Sequence, residues 1–103
     1  MALMAEFKTA YLQREVAIDA TLAADLKVGQ VCTLSSAGAL AAATSAAVGN
    51  VIIAQSDMTV GNGHVPVENR DWKYSDVVKA SSTKKHVMVF MITDVNDIIT
   101  KTV

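Results

Sequence analysis

The feature that most restricts the fold of this sequence is an uncharged stretch from Val28 to Ser56, bounded by Lys27 and Asp57. An exposed surface of that length normally carries charged side chains. The stretch is therefore expected to be buried on both faces or pressed against other subunits. A membrane helix is disfavoured because Gly, Ser, Thr, Asn and Gln are scattered through it. We expect no membrane association.

Short apolar runs separated by turn residues predict β-strands through this stretch and beyond it. VGQVCTL (28–34) is followed by the small residues SSAG and then by ALAAAT, which predicts a β-hairpin. A helix across 39–47 is the alternative, but no charged residue decorates an outer face. VGNVIIAQS (48–56) predicts a buried strand. Asn62-Gly63 predicts a type I′ hairpin turn, and Pro66 places the strand that follows at a sheet edge.

HVMVFMIT (86–93) is the most hydrophobic of these runs, and both of its faces are apolar. Such a strand lies in the centre of a sandwich, or one of its faces meets a neighbouring subunit. DVNDIITKTV then predicts a turn and a last short strand. The predicted fold class is all-β, a small β-sandwich or barrel with an N-terminal arm.

Residues 1–20 are interpreted as the arm, and residues 21–103 as the β domain. A short terminal segment without its own packing partner is ordered only when it docks. YLQREVAID alternates as an extended strand does, although the segment also contains good helix formers. We expect Tyr11, Leu12, Val16 and Ile18 to contact a partner through this arm.

Composition limits the possible functions of the chain. With 103 residues it fits one domain, and 9 basic residues against 10 acidic ones leave no field that attracts nucleic acid. Nucleic-acid binding is therefore disfavoured. The single cysteine, Cys32, forms no internal disulfide and is interpreted as a small buried hydrophobic residue. We expect the chain to be made in a reducing compartment.

The motifs of catalysis and metal binding are not found in the sequence. His64 and His86 are the only imidazoles, and each is interpreted as an exposed residue of a turn or a strand end. One cysteine and two distant histidines do not provide the spacing of a zinc site. The run DVND (94–97) is shorter than a calcium loop. We predict a protein that is not an enzyme and that needs no metal or other cofactor.

One polar segment remains a candidate contact surface. ENRDWKYS (68–75) contains Arg70, Trp72 and Tyr74, the residue types that dominate the energetics of protein interfaces. The alternative is that the two rings cover an open end of the core. An acid/base pair of Glu68 and Asp71 is disfavoured, because nothing apolar around them would separate their pKa values. We predict that Arg70, Trp72 and Tyr74 bind a partner.

The order of glycines and small residues resembles the capsid decoration (cement) and head-fibre proteins of tailed bacteriophages. Three segments carry the resemblance across roughly residues 25–97: DLKVGQVCTLSSAGALAAATSAAVGNVIIAQSD, VPVENRDWKYSDVVKA and VMVFMITDVNDI. The phrase xxxGxVxxL…xGxLxxAT…xxxxGxVxxA is matched by Gly29, Val31, Leu34, Gly38, Leu40, Ala43, Thr44, Gly49, Val51 and Ala54.

The resemblance implies a structural virion protein that binds the major capsid protein on the outer surface of the capsid. It implies a β-rich subunit, commonly a homotrimer, made in the host cytoplasm. Some members attach through an extended N-terminal arm. Arms of the lambda type are richer in proline, and residues 1–20 contain none. Two alternatives stay open: a small β-barrel module that recognises carbohydrate or protein, and an enzyme subunit completed by other chains.

Overall fold

The structure is a computed structural model that describes residues 2–8, 15–55 and 77–103. Its strands, in chain order, are β1 (Leu3–Phe7), β2 (Glu15–Leu22), β3 (Leu26–Lys27), β4 (Val31–Leu34), β5 (Ala39–Ala42), β6 (Val51–Gln55), β7 (Val77–Val78), β8 (Ser81–Met91) and β9 (Ile98–Thr102). A 3-10 helix, Val95–Asp97, precedes β9. The predicted all-β class is confirmed.

Five strands form a closed barrel in the order β2-β5-β4-β6-β8. All of its pairings are antiparallel except β2 with β5, which is parallel and covers only Thr21 with Ala39 and Leu22 with Leu40. This two-residue contact closes the barrel. The remaining circumference consists of antiparallel pairings, of which β4 with β6 also covers two residue pairs, Val31 with Ile52 and Cys32 with Val51.

The predicted hairpin at 28–47 is confirmed, with β4 and β5 joined through the turn at 35–38. Gly38 closes the turn with φ of +83°, a conformation that L side chains rarely adopt. Its amide donates to the carbonyl of Ser35 at 3.0 Å, and its carbonyl accepts from the amide of Thr21 at 2.9 Å. Gly38 thus belongs both to the hairpin turn and to the closure of the barrel.

Two hydrophobic clusters occupy opposite faces of the β4-β6-β8 wall. The inner cluster fills the barrel and takes residues from every barrel strand: Ala20, Leu22, Cys32, Leu40, Val51, Ile53, Val87 and Val89, with Leu26 and Val78 of the small sheet. The outer cluster contains Val31, Ile52, Ala54, Phe90 and Ile92, with Ala5 and Phe7 of β1 and Ala43. Alternation along β6 and β8 sends successive residues to the two clusters. Both apolar faces of the predicted central strand are therefore covered within the chain.

The N-terminal strand covers the outer cluster. β1 pairs antiparallel with β9 over five residues, and Met4, Ala5 and Phe7 are buried. The amide of Ala5 also donates to the carbonyl of Gly29 at 2.9 Å. β2 pairs with β8 from Glu15 onward, so the proposed boundary at residue 20 falls inside a barrel strand.

These contacts correct the interpretation of residues 1–20 as a separate arm, for the residues that are described there. The β-sheet edge expected on a partner is supplied by this chain instead, by β9 for β1 and by β8 for β2. Met4, Ala5 and Phe7 of β1 and Ala20 of β2 are core residues. The segment 9–14 and the predicted Asn62-Gly63 hairpin lie outside the described residues.

A small two-stranded sheet adjoins the barrel, with Leu26 opposite Val78 and Lys27 opposite Val77. Asp25 holds Lys79 and Ala80, which lead from this small sheet into β8. Its carboxylate accepts from the amide of Ala80 at 2.7 Å and from Lys79 Nζ at 3.5 Å. The Ala80 hydrogen bond is the main reason that the pKa of Asp25 is lowered, since it favours the ionised form.

Candidate binding surface

The uncharged stretch provides an exposed surface as well as core. Alternate residues of β4, β5 and β6 enter the two clusters, while the turn and the chain after β5 face solvent. The exposed members define the uncharged surface: Thr33, Ser35, Ser36, Ala37, Ala39, Ala41, Ala42, Thr44, Ser45, Ala47, Val48 and Gly49. Val48 is 66% exposed, the most of any large hydrophobic residue in the described part of the chain. No member of this surface is charged, which makes it a candidate contact surface.

A groove runs along the place where the barrel closes. We call it the seam groove; its volume is about 580 Å³. It is bounded by the end of β2, by β5 and by the start of β8, and its lining residues are Thr21, Leu22, Ala23, Ala39, Leu40, Ala41, Ala80, Ser81 and Ser82. Small apolar side chains and hydroxyl groups form the walls. No lining residue is charged.

The groove has this shape because of an irregular register. Ala20 pairs with Lys85 and Leu22 with Ser81, so Thr21 of β2 lies opposite three residues of β8. Such a bulge bends its strand and interrupts the ladder. The Ser81 hydroxyl donates to the carbonyl of Thr83 at 2.8 Å and stabilises the bent segment.

Lysine side chains lie at both ends of the seam groove. Lys84 Nζ donates to the carbonyl of Ala37 at 3.4 Å, two residues before the lining residue Ala39. Lys85 Nζ donates to the carbonyl of Lys79 at 3.1 Å, next to the lining residue Ala80. The charge of Lys85 also acts on the carboxylate of Asp25, which accepts from the amide of the lining residue Ala80 at 2.7 Å. The groove is therefore uncharged inside, with Lys84 at the end beside β5 and a mixed cluster of Lys79, Lys85 and Asp25 at the end beside Ala80.

An exposed contact between a carboxylate and an imidazole lies nearby on the β2-β8 ladder. Asp19 and His86 are directly opposite, and Asp19 Oδ1 is 2.6 Å from His86 Nδ1. Both side chains are more than half exposed. The predicted exposure of His86 is thus confirmed, but the residue lies inside β8 and not at a strand end, and its imidazole contacts a carboxylate that the sequence did not indicate.

Few side chains in the described part of the chain could act as a nucleophile or bind a metal ion. Cys32 is buried, its thiol donates to the Gln30 carbonyl at 3.7 Å, and burial raises its pKa to about 12. A thiol with that pKa is protonated near neutral pH and is a poor nucleophile. Across residues 2–8, 15–55 and 77–103, no three His, Cys, Asp or Glu side chains are grouped to hold a metal ion.

The structure places the predicted contact residues in different environments. Val16 is 42% exposed at the start of β2. Ile18 is partly buried against the inner cluster, and its contact with a partner stays a prediction. Tyr11, Leu12, Arg70, Trp72 and Tyr74 lie outside the described residues.

Sequence reasoning missed Glu6 as a structural residue. This carboxylate is fully buried on β1 and takes part in a polar interaction. A single acid in an apolar run is typical of an exposed position, since acidic side chains are almost never fully buried. No pattern in the sequence distinguishes Glu6 from such a residue.

No family model matches the sequence, and no curated protein or solved structure is significantly similar to it. Within the described ranges, no helix has the length and apolar character needed to cross a membrane.

Proposed function

We propose that the chain is a structural virion protein, a capsid decoration (cement) or head-fibre subunit that binds the outer surface of a phage capsid. Its partner is the major capsid protein, and it is made in the host cytoplasm. The resemblance of residues 25–97 to that class supports the proposal. So does a small barrel whose exposed hairpin carries no charge.

The observation that carries the proposal is the uncharged surface. A decoration protein works by adding buried contact area across joints between capsid subunits, so it needs surfaces and no catalytic groups. Small side chains, such as those of Ala37, Ala41 and Ala47, let two backbones approach closely. They also lose little conformational entropy on ordering. The exposed Val48 supplies a larger apolar contact.

The same surface supports self-association, and we propose a homotrimer. Both apolar faces of β8 pack against clusters within the chain, apart from Met91, which is 37% exposed at the end of the strand. The uncharged surface is the better candidate. Light scattering at micromolar concentration is expected to show three times the 10.9 kDa chain. A monomer at that concentration contradicts this part of the proposal.

The decisive experiment mixes the purified protein with undecorated capsids of the phage that encodes it. After sedimentation, the pelleted protein is measured and the particles are imaged. Wild-type protein is expected to bind at a fixed number of copies per capsid. A Ser36→Glu/Thr44→Glu variant places charge on the uncharged surface and is expected to bind more weakly.

The matched control is Thr100→Glu, which adds charge at an exposed position of β9. It is expected to bind as the wild type does. Absence of wild-type protein from the pelleted capsids, at concentrations where the protein is folded, contradicts the proposed function.

A small barrel that recognises carbohydrate is the second candidate. The seam groove favours it, because hydroxyl groups of Thr21, Ser81 and Ser82 line an open cavity. Aromatic platforms typical of sugar sites are not among the lining residues. Binding to immobilised glycans, with no binding to capsids, would favour this module over the virion protein.

A further inference from the structure

β5 has an incomplete set of neighbours, as β4 does on the side that faces β6. Its partner β4 pairs with Leu40, Ala41 and Ala42, whereas β2 pairs only with Ala39 and Leu40. Beyond Leu40, no strand among the described residues pairs with the outer side of β5. Within the described ranges, the barrel therefore has a short unpaired edge beside the seam groove.

The hydrogen bonds of the hairpin show which backbone groups face that edge. The carbonyl of Ala39 accepts from Ser35, and the amide of Ala43 donates to Val31, both at 3.0 Å and both toward β4. Backbone groups of successive residues in a strand point to opposite sides. The amide and carbonyl of Ala42 therefore point away from β4, and Ala42 is exposed.

The seam groove has room for another strand along this edge. Paired strands lie about 4.8 Å apart, so an added strand needs close access to the backbone. The side chains of Ala39 and Ala41 are single methyl groups, and Ser81 and Ser82 form the opposite wall. An extended peptide gains main-chain hydrogen bonds at such an edge, while the pockets beside it select its side chains.

The charges at the ends of the groove select the occupant. Lys84 Nζ donates to the Ala37 carbonyl beside β5, whereas Lys85 shares its end of the groove with Lys79 and the Asp25 carboxylate. Lysines at a strand edge disfavour pairing with a second copy of the same edge, because like charges meet. They favour a segment that carries Asp or Glu.

We infer that the seam groove binds an extended acidic segment of another chain, which adds as a parallel or antiparallel strand to β5 at Ala42. The inference rests on the proposed function, because the segment then belongs to the assembly that the protein decorates. It adds the place of contact and the chemistry of the partner segment.

The probe is a capped peptide of alternating β-formers and acids, TEVTEVT, compared with its basic counterpart TKVTKVT. Amide NMR spectra are recorded on the labelled full-length protein at low salt. The acidic peptide is expected to shift the amides of Ala41 and Ala42 and to slow hydrogen exchange at Ala42. The basic peptide is expected to do neither. Equal responses to both peptides, or shifts confined to other strands, overturn the inference.

Two variants refine the test. Lys84→Glu is expected to weaken binding of the acidic peptide by at least about two- to fivefold, the range for an exposed ion pair. Lys101→Glu makes the same change of charge on β9, away from the groove. This variant is expected to bind the acidic peptide as the wild type does. Ala42→Pro removes the amide that faces the new strand, at a position where proline is tolerated because the β4 ladder does not use it. It is expected to abolish the exchange protection.

Circular dichroism and thermal unfolding establish that each variant is folded. If Ala42→Pro is unfolded, the Lys84→Glu comparison decides the question alone, and unchanged peptide affinity then overturns the inference. Capsid binding separates this inference from the proposed function. Variants that lose the peptide but bind capsids normally refute the groove as the contact. A wild-type protein that binds the acidic peptide and not capsids supports the groove and refutes the virion role.

Discussion

Phe7 of β1 and Phe90 of β8 meet edge to face, with ring centroids 5.1 Å apart and ring planes at 78°. Both side chains are buried in the outer cluster. Edge-to-face pairs of this geometry contribute about 0.5–1.5 kcal/mol beyond the area that they bury. The contact fastens the N-terminal strand to the longest strand of the barrel.

Phe7→Ala is therefore expected to lower the free energy of unfolding by about 3–5 kcal/mol, the range for a buried phenylalanine. Urea unfolding followed by circular dichroism measures this change. Val48→Ala is the control, because Val48 is 66% exposed and its loss is expected to cost less than about 0.5 kcal/mol. Similar midpoints for the two variants would show that β1 is not part of the core.

Removal of residues 1–20 is expected to destabilise the fold more than Phe7→Ala does, because it removes more of the core. The truncation deletes β1 and most of β2, including Ala20 of the inner cluster, and exposes one side of β8. We expect the 21–103 fragment to lack a cooperative unfolding transition. Sequence reading predicts the opposite, so a fragment with wild-type β content and thermal stability would restore the interpretation of residues 1–20 as an arm.

Gly38 and Gly49 both have positive φ, of +83° and +96°, but only Gly38 has close neighbours. A Cβ at Gly38 would lie 3.2 Å from the Asp19 carbonyl oxygen and 3.0 Å from Lys84 Nζ, whereas a Cβ at Gly49 would meet nothing within 4 Å. Lys84 is flexible and can move, but the Asp19 backbone belongs to β2.

Gly49→Ala is expected to cost about 1 kcal/mol, since only the backbone conformation is strained. Gly38→Ala is expected to cost more, about 2–3 kcal/mol, because the seam between β2 and β5 must also shift. Chemical denaturation of the two variants under the same conditions compares them. Equal losses of stability would show that the seam yields without strain.

Cys32 is expected to report on global unfolding. Its side chain is fully buried and its pKa is raised to about 12 by burial, so thiol reagents need the protein to open first. At pH 8 the native protein is expected to react with a disulfide reagent at least about a hundredfold more slowly than the urea-unfolded protein. Cys32→Ala has no thiol and gives the background signal of the assay. Rapid labelling of the folded chain would contradict the burial of Cys32.

The strands of the hairpin and of β8 were predictable because their signals are local. Small turn residues before Gly38 and an apolar run from Val87 to Ile92 each determine structure within a few positions. The two-sided apolar pattern of β8 also predicted its central place, and the structure shows the two clusters that cover it.

The role of residues 1–20 was not predictable from the same patterns. β1 pairs with β9 from the opposite end of the chain, and a pairing over that distance leaves no periodic mark in either segment. The seam groove was not predictable for the same reason, because its walls come from β2, β5 and β8, which are distant in the sequence. Nothing in the sequence distinguishes Lys84 and Lys85 from other exposed lysines, because only the fold places them beside the seam groove.

Asp25 is expected to make folding sensitive to acid. Its pKa is lowered below the ordinary value of 3.8, first by the Ala80 hydrogen bond and also by Lys79, whose charge acts against a partial desolvation. A carboxyl group with a depressed pKa in the folded state stabilises the fold above the unfolded value. That stabilisation is lost as the pH falls through the lower folded value.

Asp25→Asn is therefore expected to be less stable than the wild type at pH 7, with a difference that shrinks as the pH falls below about 4. Thermal unfolding from pH 7 to pH 2.5 measures the difference at each pH. Lys79→Gln is the matched variant, because it removes the ion pair at 3.5 Å and leaves the Ala80 hydrogen bond at 2.7 Å. Since the hydrogen bond is the larger cause, Lys79→Gln is expected to keep most of the wild-type acid dependence. If Lys79→Gln instead reproduces Asp25→Asn at every pH, the ion pair and not the backbone hydrogen bond holds the segment that leads into β8.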